Sequence, residues 1–387
     1  MAIRRVYLDN NASTLPLPEV IDAMMTLLRE EYANPSSPHQ FAQSAKYRVE
    51  CARQQVADLI GAAPKEIIFT SGGTESINLA IRGFLQANTP EPSAGRFVTT
   101  MVEHSAVFRV AERLAADGYD VDFVGVDKHG RIDQAEWDAK LTPETSLVSL
   151  VHANNETGVV FDVAKLGAVA SDRGIPVHVD AVQSAGKLPI DVSSLPISLL
   201  SMSAHKLHGP KGAGALYQKR RTRLAPVLLG GGHERNLRAG TENVPGIVGM
   251  GVAAEAAKRD CGEFRPRVTA LRDRLQRGIL EAFPDAHING LKAERVYNTA
   301  NISFPGLESE AILILLSEAG ISVSSGPACS SGSVELSRVL KAMGLDERII
   351  RGAIRFSLSR FNTPEEIEYV VSLMPQLLSK LSTMCGA

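Results

Sequence analysis

The chain is predicted to be an α/β protein, with a large domain built on a mostly parallel seven-stranded sheet and a smaller α+β domain. At 387 residues it exceeds the size at which one core keeps growing, so two domains are expected. Between about residues 66 and 230, short apolar runs alternate with helical periodicity, which indicates right-handed crossovers and helices on both sheet faces. After about residue 251 this alternation stops and strands become fewer.

The seven strands of the large domain are predicted from short apolar runs between turn residues. They lie at 67–70, 97–100, 122–126, 147–152, 176–179, 199–202 and 214–217. A short strand at 5–8, a helix from about 18 to 31 and a second helix ending near 61 are expected before them. The large domain is placed at 15–255.

The smaller domain is placed at 1–14 and 256–387. A long helical stretch to about 283 precedes a strand near 297–304, a helix at 308–319 and a strand at 353–357. The last helix is opened by Thr363-Pro-Glu-Glu366, where the threonine and the second glutamate are spaced as a capping box. This domain also carries the Gly/Ser-rich segment 322–333.

Composition and charge indicate which classes of protein this chain can belong to. The chain is 44% apolar and 22% charged, as is usual for a soluble globular protein. A formal net charge of −2 gives no reason to expect nucleic acid or an anionic membrane as a partner. No apolar run approaches the roughly 18 residues of a spanning helix. The N-terminus reaches a charge too early for a signal peptide, so we expect a cytoplasmic protein.

Lys206 and Asp180 are the most informative pair of residues. Lys206, in Ser203-Ala-His-Lys206, follows an apolar strand and precedes glycines, and Asp180 ends a neighbouring strand. Pyridoxal phosphate (PLP) needs an amine that holds its aldehyde as a Schiff base and an anion that keeps its pyridine nitrogen protonated. The alternatives are a surface lysine and an aspartate that only caps the next segment.

A phosphate site is suggested by Thr70-Ser-Gly-Gly73-Thr74, which reads as strand, glycine turn and helix start. Backbone N–H groups at such a start bind anions, and the Thr74 hydroxyl adds a donor. A plain strand-to-helix turn would contain the same glycines, so the prediction depends on Lys206 and Asp180. The chain has no G-x-x-x-x-G-K-[ST] motif, which counts against a nucleotide-hydrolysing P-loop.

The histidines near predicted strand ends suggest a cofactor site more than a metal site. His104 is placed to lie on the face of a planar cofactor, with a structural histidine as the alternative. His205 and His208 have a spacing that zinc could use, but no obvious carboxylate or thiolate ligand lies nearby, so we expect no metal. The four widely spaced cysteines, without a C-x-x-C, also argue against a disulfide framework and a cysteine-based zinc site.

Cys329 and Arg355 each stand in a stretch of sequence where a residue of that type is uncommon. Cys329 stands among serines and glycines, in a segment that is costly to order and is predicted to act as a flexible tether. It is therefore a candidate for a nucleophile that travels, with an incidental loop cysteine as the alternative. Arg355 interrupts an apolar strand and needs an anion, either a substrate carboxylate or an acidic residue of the protein.

Taken together, these segments resemble the cysteine desulfurases of the NifS/IscS type, within the class V branch of the fold-type I PLP enzymes. The matching stretches follow one another over nearly the whole chain. They are Tyr7-Leu-Asp-Asn-Asn-Ala, Asn34-Pro-Ser-Ser, Thr70-Ser-Gly-Gly-Thr-Glu-Ser, Glu103-His-Ser-Ala-Val, Asn154-Asn-Glu-Thr-Gly, Val179-Asp-Ala-Val-Gln-Ser, Ser203-Ala-His-Lys, Arg238-Ala-Gly-Thr241-Glu-Asn, Ser325-Gly-Pro-Ala-Cys329 and Ile354-Arg-Phe-Ser-Leu.

The resemblance implies a role for each candidate. Lys206 would hold PLP and carry protons, Asp180 would pair with the ring nitrogen, and His104 would stack on the ring and assist proton transfers. Asn155 and Gln183 would contact the substrate end and the ring oxygen of the cofactor. The phosphate would be bound by Gly73, Thr74, Ser203 and His205. Arg355 would bind the carboxylate of L-cysteine. In relatives Thr241 reaches the phosphate of the neighbouring subunit, which implies a homodimer.

The implied reaction transfers the sulfur of L-cysteine to Cys329, leaving L-alanine and a persulfide, with His104 as a candidate base for the thiol. The sulfur would pass to an acceptor such as an iron–sulfur scaffold, in nitrogenase or general cluster assembly, or to tRNA thiolation. Pro327 replaces the serine common in relatives and would restrict the segment. The alternatives are a selenocysteine lyase, another class V transferase and a non-catalytic scaffold. The 26 residues from Cys329 to Arg355 favour the desulfurases that have a long loop at this place.

Overall fold

Residues 4–326 and 336–385 are described in a computed structural model, and they contain twelve strands and eleven helices. The strands are β1 (Val6–Tyr7), β2 (Ile67–Thr70), β3 (Arg96–Thr100), β4 (Asp120–Val124), β5 (Thr145–Val151), β6 (Val177–Asp180), β7 (Leu199–Ser203), β8 (Gly214–Gln218), β9 (His287–Ile288), β10 (Thr299–Ser303), β11 (Ile321–Ser322) and β12 (Ala353–Ser357). The helices are α1 (Pro18–Arg29), α2 (Gln40–Ile60), α3 (Gly73–Asn88), α4 (Ser105–Ala116), α5 (Gln134–Lys140), α6 (Val163–Asp172), α7 (Val244–Ala282), α8 (Ser309–Glu318), α9 (Arg338–Ala342), α10 (Glu347–Arg351) and α11 (Pro364–Cys385).

The largest sheet has seven strands in the order β2-β8-β7-β6-β5-β3-β4, which confirms the predicted mostly parallel architecture. Only β8 runs against its neighbours β2 and β7. Every residue of β6 and β7 is buried, as expected for parallel strands covered on both faces. The carboxyl ends of β2, β3, β5, β6 and β7 therefore meet at one edge, where ligands bind in open α/β sheets.

A smaller antiparallel sheet has the order β12-β10-β9, and β1 pairs in parallel with β11. The final helix begins with the predicted capping box. The Thr363 N–H donates to Glu366 Oε2 at 3.1 Å, and the Glu366 N–H donates to Thr363 Oγ1 at 3.3 Å. Just after β1, Asp9 forms a parallel bridge with Ser357 at the end of β12, so the N-terminal loop lies beside the smaller sheet.

Helix α7 is longer than the sequence predicts, because it begins at Val244 after the cap residue Asn243, whose side chain accepts from the Gly246 N–H at 3.2 Å. Its first part joins the core of the large sheet, whereas Val268 and Leu275 join the core of the smaller sheet. The predicted division at 255/256 falls inside this helix and remains a prediction. None of the described helices, α7 included, is both long and apolar enough to cross a membrane.

Candidate active site

A cavity of about 720 Å³ lies at the carboxyl edge of the large sheet, a volume typical of a small-molecule site. Its lining includes ten of the residues predicted from the sequence, which come from the seven-stranded and three-stranded sheets, the start of helix α3 and four different loops. They are Gly73, Thr74, His104, Asn155, Asp180, Gln183, Ser203, His205, Lys206 and Arg355. The tertiary structure thus brings together most of the candidates that were separated along the chain.

Lys206 lies in a short 3-10 turn, Ala204–Lys206, that directly follows β7. Its Nζ donates to the carbonyl oxygens of Asn11 at 2.6 Å and Ala12 at 2.7 Å. Burial lowers the pKa of Lys206 to about 8, and the Arg355 charge contributes to the decrease. A larger fraction of the amine is therefore neutral at physiological pH than for a free lysine, which suits attack on an aldehyde.

Asp180 is the last residue of β6 and is only 2% exposed. Its Oδ1 accepts from the Val182 N–H at 3.0 Å, so this side chain closes the turn after the strand as well as lining the cavity. The capping interpretation of its position is therefore confirmed, and pairing with a pyridine nitrogen stays a prediction. Burial raises the pKa of Asp180, while His104 and Lys206 favour its charged form. A buried carboxylate requires such cationic partners, and a protonated ring nitrogen would be another.

His104 caps helix α4, and its Nδ1 accepts from the Ala106 N–H at 3.1 Å. A neutral imidazole with an accepting Nδ1 carries its hydrogen on Nε2. Burial lowers the pKa of His104, which favours this neutral form. The ring is therefore arranged to donate from Nε2, and this geometry does not favour the expected role of His104 as a base for the thiol.

Gly73 begins helix α3 in very close contact with the loop after β6. A Cβ at this position would lie 2.7 Å from Val182 Cγ2 and 3.6 Å from Ser203 Cβ. The missing side chain lets the first turn of α3, whose N–H groups have no partner within the helix, approach Ser203. Burial lowers the pKa of nearby His205 to about 4, so its neutral ring can donate one hydrogen bond. Together with Thr74, these donors fit a phosphate group.

The donor set of the cavity fits PLP as a whole. Lys206 supplies the amine, Asp180 the buried carboxylate and His104 a ring at the same cavity. The start of helix α3 and the hydroxyls of Thr74 and Ser203 line the same cavity and supply donors that suit an anion. A flat cation-bearing ring with a phosphate arm matches this distribution of charge and hydrogen-bond donors.

Arg355, in β12, already has an anionic partner within the protein. Its Nη2 donates to Asp9 Oδ1 at 2.9 Å, and its Nη1 donates to the Asn155 carbonyl oxygen at 3.1 Å. The Nε atom is buried and has no hydrogen-bond partner among the described residues. The acidic-residue interpretation of Arg355 is therefore correct, and any bound carboxylate must share the guanidinium with Asp9.

Asn11 is a central residue of the site for which the sequence suggested no role. Its carbonyl oxygen accepts from Lys206 Nζ and from Gln183 Nε2, at 2.6 and 2.9 Å. Its Nδ2 donates to Thr299 Oγ1 at 2.9 Å, which ties the N-terminal loop to β10. The available signal was the polar run Asp9-Asn-Asn-Ala after a strand, but the hydrogen bonds of Asn11 are with residues at least 144 positions away.

Two buried glutamates were also missed. Glu103 lies beside Asp180 and His104, and burial raises its pKa to about 8. Its Oε1 accepts from Thr100 Oγ1 at 2.7 Å, whereas Oε2 has no partner among the described residues. Glu156 Oε2 accepts from Ser337 Oγ at 2.5 Å. Both glutamates stand inside recognised motifs, yet nothing local in the sequence distinguishes them from exposed acids.

Three residues singled out in the sequence are not among the described residues that line the cavity. Cys329 and Pro327 fall outside the described residues. Gly326 and Leu336, the described residues on either side of that segment, both line the cavity. Thr241 is exposed in the loop before α7 and does not contribute to the lining.

The chain is similar to known proteins over nearly its whole length. The aminotransferase class-V family matches residues 6–370. Cysteine desulfurase 2 of Trichormus variabilis is 50% identical over 376 residues, which cover 97% of this chain and 94% of the relative. Cysteine desulfurase NifS of Azotobacter vinelandii is 46% identical over 97% of this chain and 93% of its own length. A solved structure titled NifS-like protein superposes with a TM-score of 0.91 at 38% identity, covering 98% and 100% of the two chains.

Proposed function

We propose that this chain, which belongs to the class-V aminotransferase family and is a PLP-dependent cysteine desulfurase, transfers the sulfur of L-cysteine to Cys329. One observation carries the proposal. A single cavity is lined by Lys206 and Asp180 and also by Gly326 and Leu336, the described residues that flank the segment containing Cys329. Both ends of that segment therefore lie where the substrate would be held.

The cofactor, when bound, supplies an electron sink for the carbon that loses its proton. Lys206 would hold the cofactor aldehyde through its Nζ and, as a free amine, would carry the α-proton of the substrate. A pKa of about 8 suits this task, because the amine can both accept and release a proton near neutral pH. Asp180 would keep the ring nitrogen protonated, and the Nε2–H of His104 would donate a hydrogen bond into the cavity.

Substrate orientation is assigned to Arg355 and Asn155. The guanidinium of Arg355 binds the carboxylate of L-cysteine while it keeps its contact with Asp9, and the Asn155 side chain contacts the substrate end. Arg355 is held from behind by the Asn155 carbonyl oxygen at 3.1 Å. Such a preorganised cation binds a carboxylate more strongly than a mobile one, because less side-chain freedom is lost.

In the sulfur-transfer step the Cys329 thiolate attacks the substrate sulfur, so an S–S bond forms as the C–S bond breaks. The electron pair of the broken bond stays with the substrate carbon, which is then protonated and leaves as L-alanine. Arg338, Arg355 and Lys206 give the cavity a cationic lining that favours the thiolate. These charges, rather than a proton-accepting His104, are proposed to activate Cys329.

The persulfide is proposed to pass its sulfur to an acceptor protein such as an iron–sulfur scaffold, including one that serves nitrogenase. We also propose a cytoplasmic homodimer in which Thr241 reaches the phosphate site of the partner subunit. The exposure of Thr241, outside the lining of its own cavity, is compatible with this arrangement.

The deciding experiment follows L-alanine and sulfide from L-cysteine in the presence of a reductant. The native protein should form both products equally, and Cys329→Ala should form neither at an appreciable rate. The matched control is Cys261→Ala, because Cys261 lies half-buried in α7, outside the cavity lining. If Cys329→Ala kept the native rates, sulfur transfer through Cys329 would be wrong and a lyase would be the better conclusion.

A further inference from the structure

Lys187 is a buried lysine close to the site, and the mechanism above does not use it. The residue is 6% exposed and lies in the loop between β6 and β7. A second, smaller cavity is lined by both Lys187 and Lys206. Burial, together with the charges of Lys206 and Arg355, lowers the pKa of Lys187 to about 7. A lysine in this position is electrostatically unfavourable, so its contacts call for an explanation.

The described contact of the Lys187 ammonium is with Gln183. Lys187 Nζ donates to Gln183 Oε1 at 2.7 Å, and Gln183 Nε2 donates to the Asn11 carbonyl oxygen at 2.9 Å. The same carbonyl oxygen accepts from Lys206 Nζ at 2.6 Å. A chain of hydrogen bonds therefore runs from Lys187 through Gln183 and Asn11 to Lys206.

This chain determines which way the Gln183 amide faces. The Asn11 carbonyl oxygen can only accept and a protonated Lys187 can only donate, so the NH₂ group of the amide faces Asn11 and its oxygen faces Lys187. One of the two N–H bonds is used by Asn11, and the other remains for a ligand, since Gln183 lines the main cavity. Without Lys187, the two orientations of the amide would differ less in free energy.

We propose that Lys187 is a positioning residue, which holds the Gln183 amide so that its NH₂ group is presented to the ring oxygen of bound PLP. This inference rests on the proposed placement of the cofactor against Gln183. A carboxamide in the opposite orientation would set its own oxygen against the ring oxygen, and two acceptors in contact repel. Lys187 thus acts on the cofactor through Gln183 without touching it.

The test is a double-mutant cycle on cofactor affinity, measured by titrating PLP into the apoproteins. Lys187→Met keeps the length of the side chain and removes the donor. It should weaken PLP binding about 2- to 12-fold, the range of one ordinary hydrogen bond, and shift the absorbance of the bound cofactor. In a Gln183→Ala background the same substitution should have no further effect, because the group that it positions is absent.

Three controls keep the outcomes distinct. Lys292→Met makes the same change at an exposed position and should leave PLP affinity unchanged. Thermal unfolding of each apoprotein separates positioning from stability, and Lys187→Met should unfold no earlier than the native apoprotein. Lys187→Gln, whose amide can donate or accept and so does not impose an orientation, should weaken PLP binding as well and serves if Lys187→Met does not fold.

Two results would overturn the inference in different ways. Equal weakening by Lys187→Met in the native and Gln183→Ala backgrounds would show that Lys187 acts independently of Gln183. Unchanged affinity and absorbance in Gln183→Ala alone would refute the placement of the cofactor against Gln183. Neither result would alter the product assay with Cys329→Ala, so the desulfurase proposal is tested separately.

Discussion

Asp9 Oδ1 accepts a hydrogen bond from Arg355 Nη2 at 2.9 Å across 346 positions of the chain. The side chains are 19% and 6% exposed, so the pair is largely shielded from water. Asp9 raises the pKa of Lys206 and Arg355 lowers it, which means that this ion pair influences the amine that is proposed to hold the cofactor. The N-terminal loop is therefore part of the electrostatics of the site.

Asp9→Asn should lower the pKa of Lys206 below its present value of about 8, because an opposing negative charge is removed. The pH midpoint for capture of PLP by the apoprotein should move downward accordingly. Stopped-flow measurement of capture rates across pH checks this. Asp285→Asn, at an exposed position, is the control. An unchanged midpoint in Asp9→Asn would show that this ion pair does not tune Lys206.

Glu103→Gln should remove part of the pH dependence of stability. The folded pKa of Glu103 is raised to about 8 from its usual 4.5, so the folded state retains a proton that the unfolded state releases. Stability attributable to this group is therefore present below about pH 4.5 and falls as pH rises toward 8. Urea unfolding at pH 5 and pH 8 should show a smaller decrease for Glu103→Gln than for the native protein. A matching decrease for the two proteins would contradict a protonated Glu103, and Glu281→Gln, which is exposed, is the control.

Gly73→Ala should weaken PLP binding, because the added Cβ would lie 2.7 Å from Val182 Cγ2 and would move the start of α3 away from the phosphate site. Overpacking of this kind costs about 1 to 3 kcal/mol, so a loss of affinity of about tenfold is expected. Val182→Ala should restore much of the affinity in the double variant. Equilibrium titration with PLP measures both effects, and a failure of Val182→Ala to rescue would argue against a steric cause.

Gly326→Ala should destabilise the fold, because its Cβ would lie 2.5 Å from Glu156 Oε2, in a buried contact next to Ser337. A cost of about 1 to 3 kcal/mol is expected from denaturant unfolding. Gly262→Ala is the matched control: Gly262 lies in α7 with no atom near the added Cβ, so alanine should stabilise that helix by about 0.5 to 1 kcal/mol. Equal stability changes in the two variants would refute the proposed contact.

Local features of the sequence were enough to predict most of the elements. The strands at 67–70 and 353–357 have the predicted bounds, and the capping box at Thr363 forms as expected. Helix α7 was the main difference, since its first turns contain glycines and a proline that obscure the helical pattern. In that stretch tertiary packing against α1 and α2 outweighs helix propensity.

The sequence by itself determined the types of chemistry that the chain can perform, because Lys206, Asp180 and the glycine turn at Gly73 stand in short patterns whose local structure follows from a few neighbouring residues. The tertiary structure decided how those groups are tuned. The pairing of Arg355 with Asp9 and the sharing of one Asn11 carbonyl oxygen by Lys206 and Gln183 join distant parts of the chain. Burial depends on all of the surrounding packing, so a local pattern does not encode it.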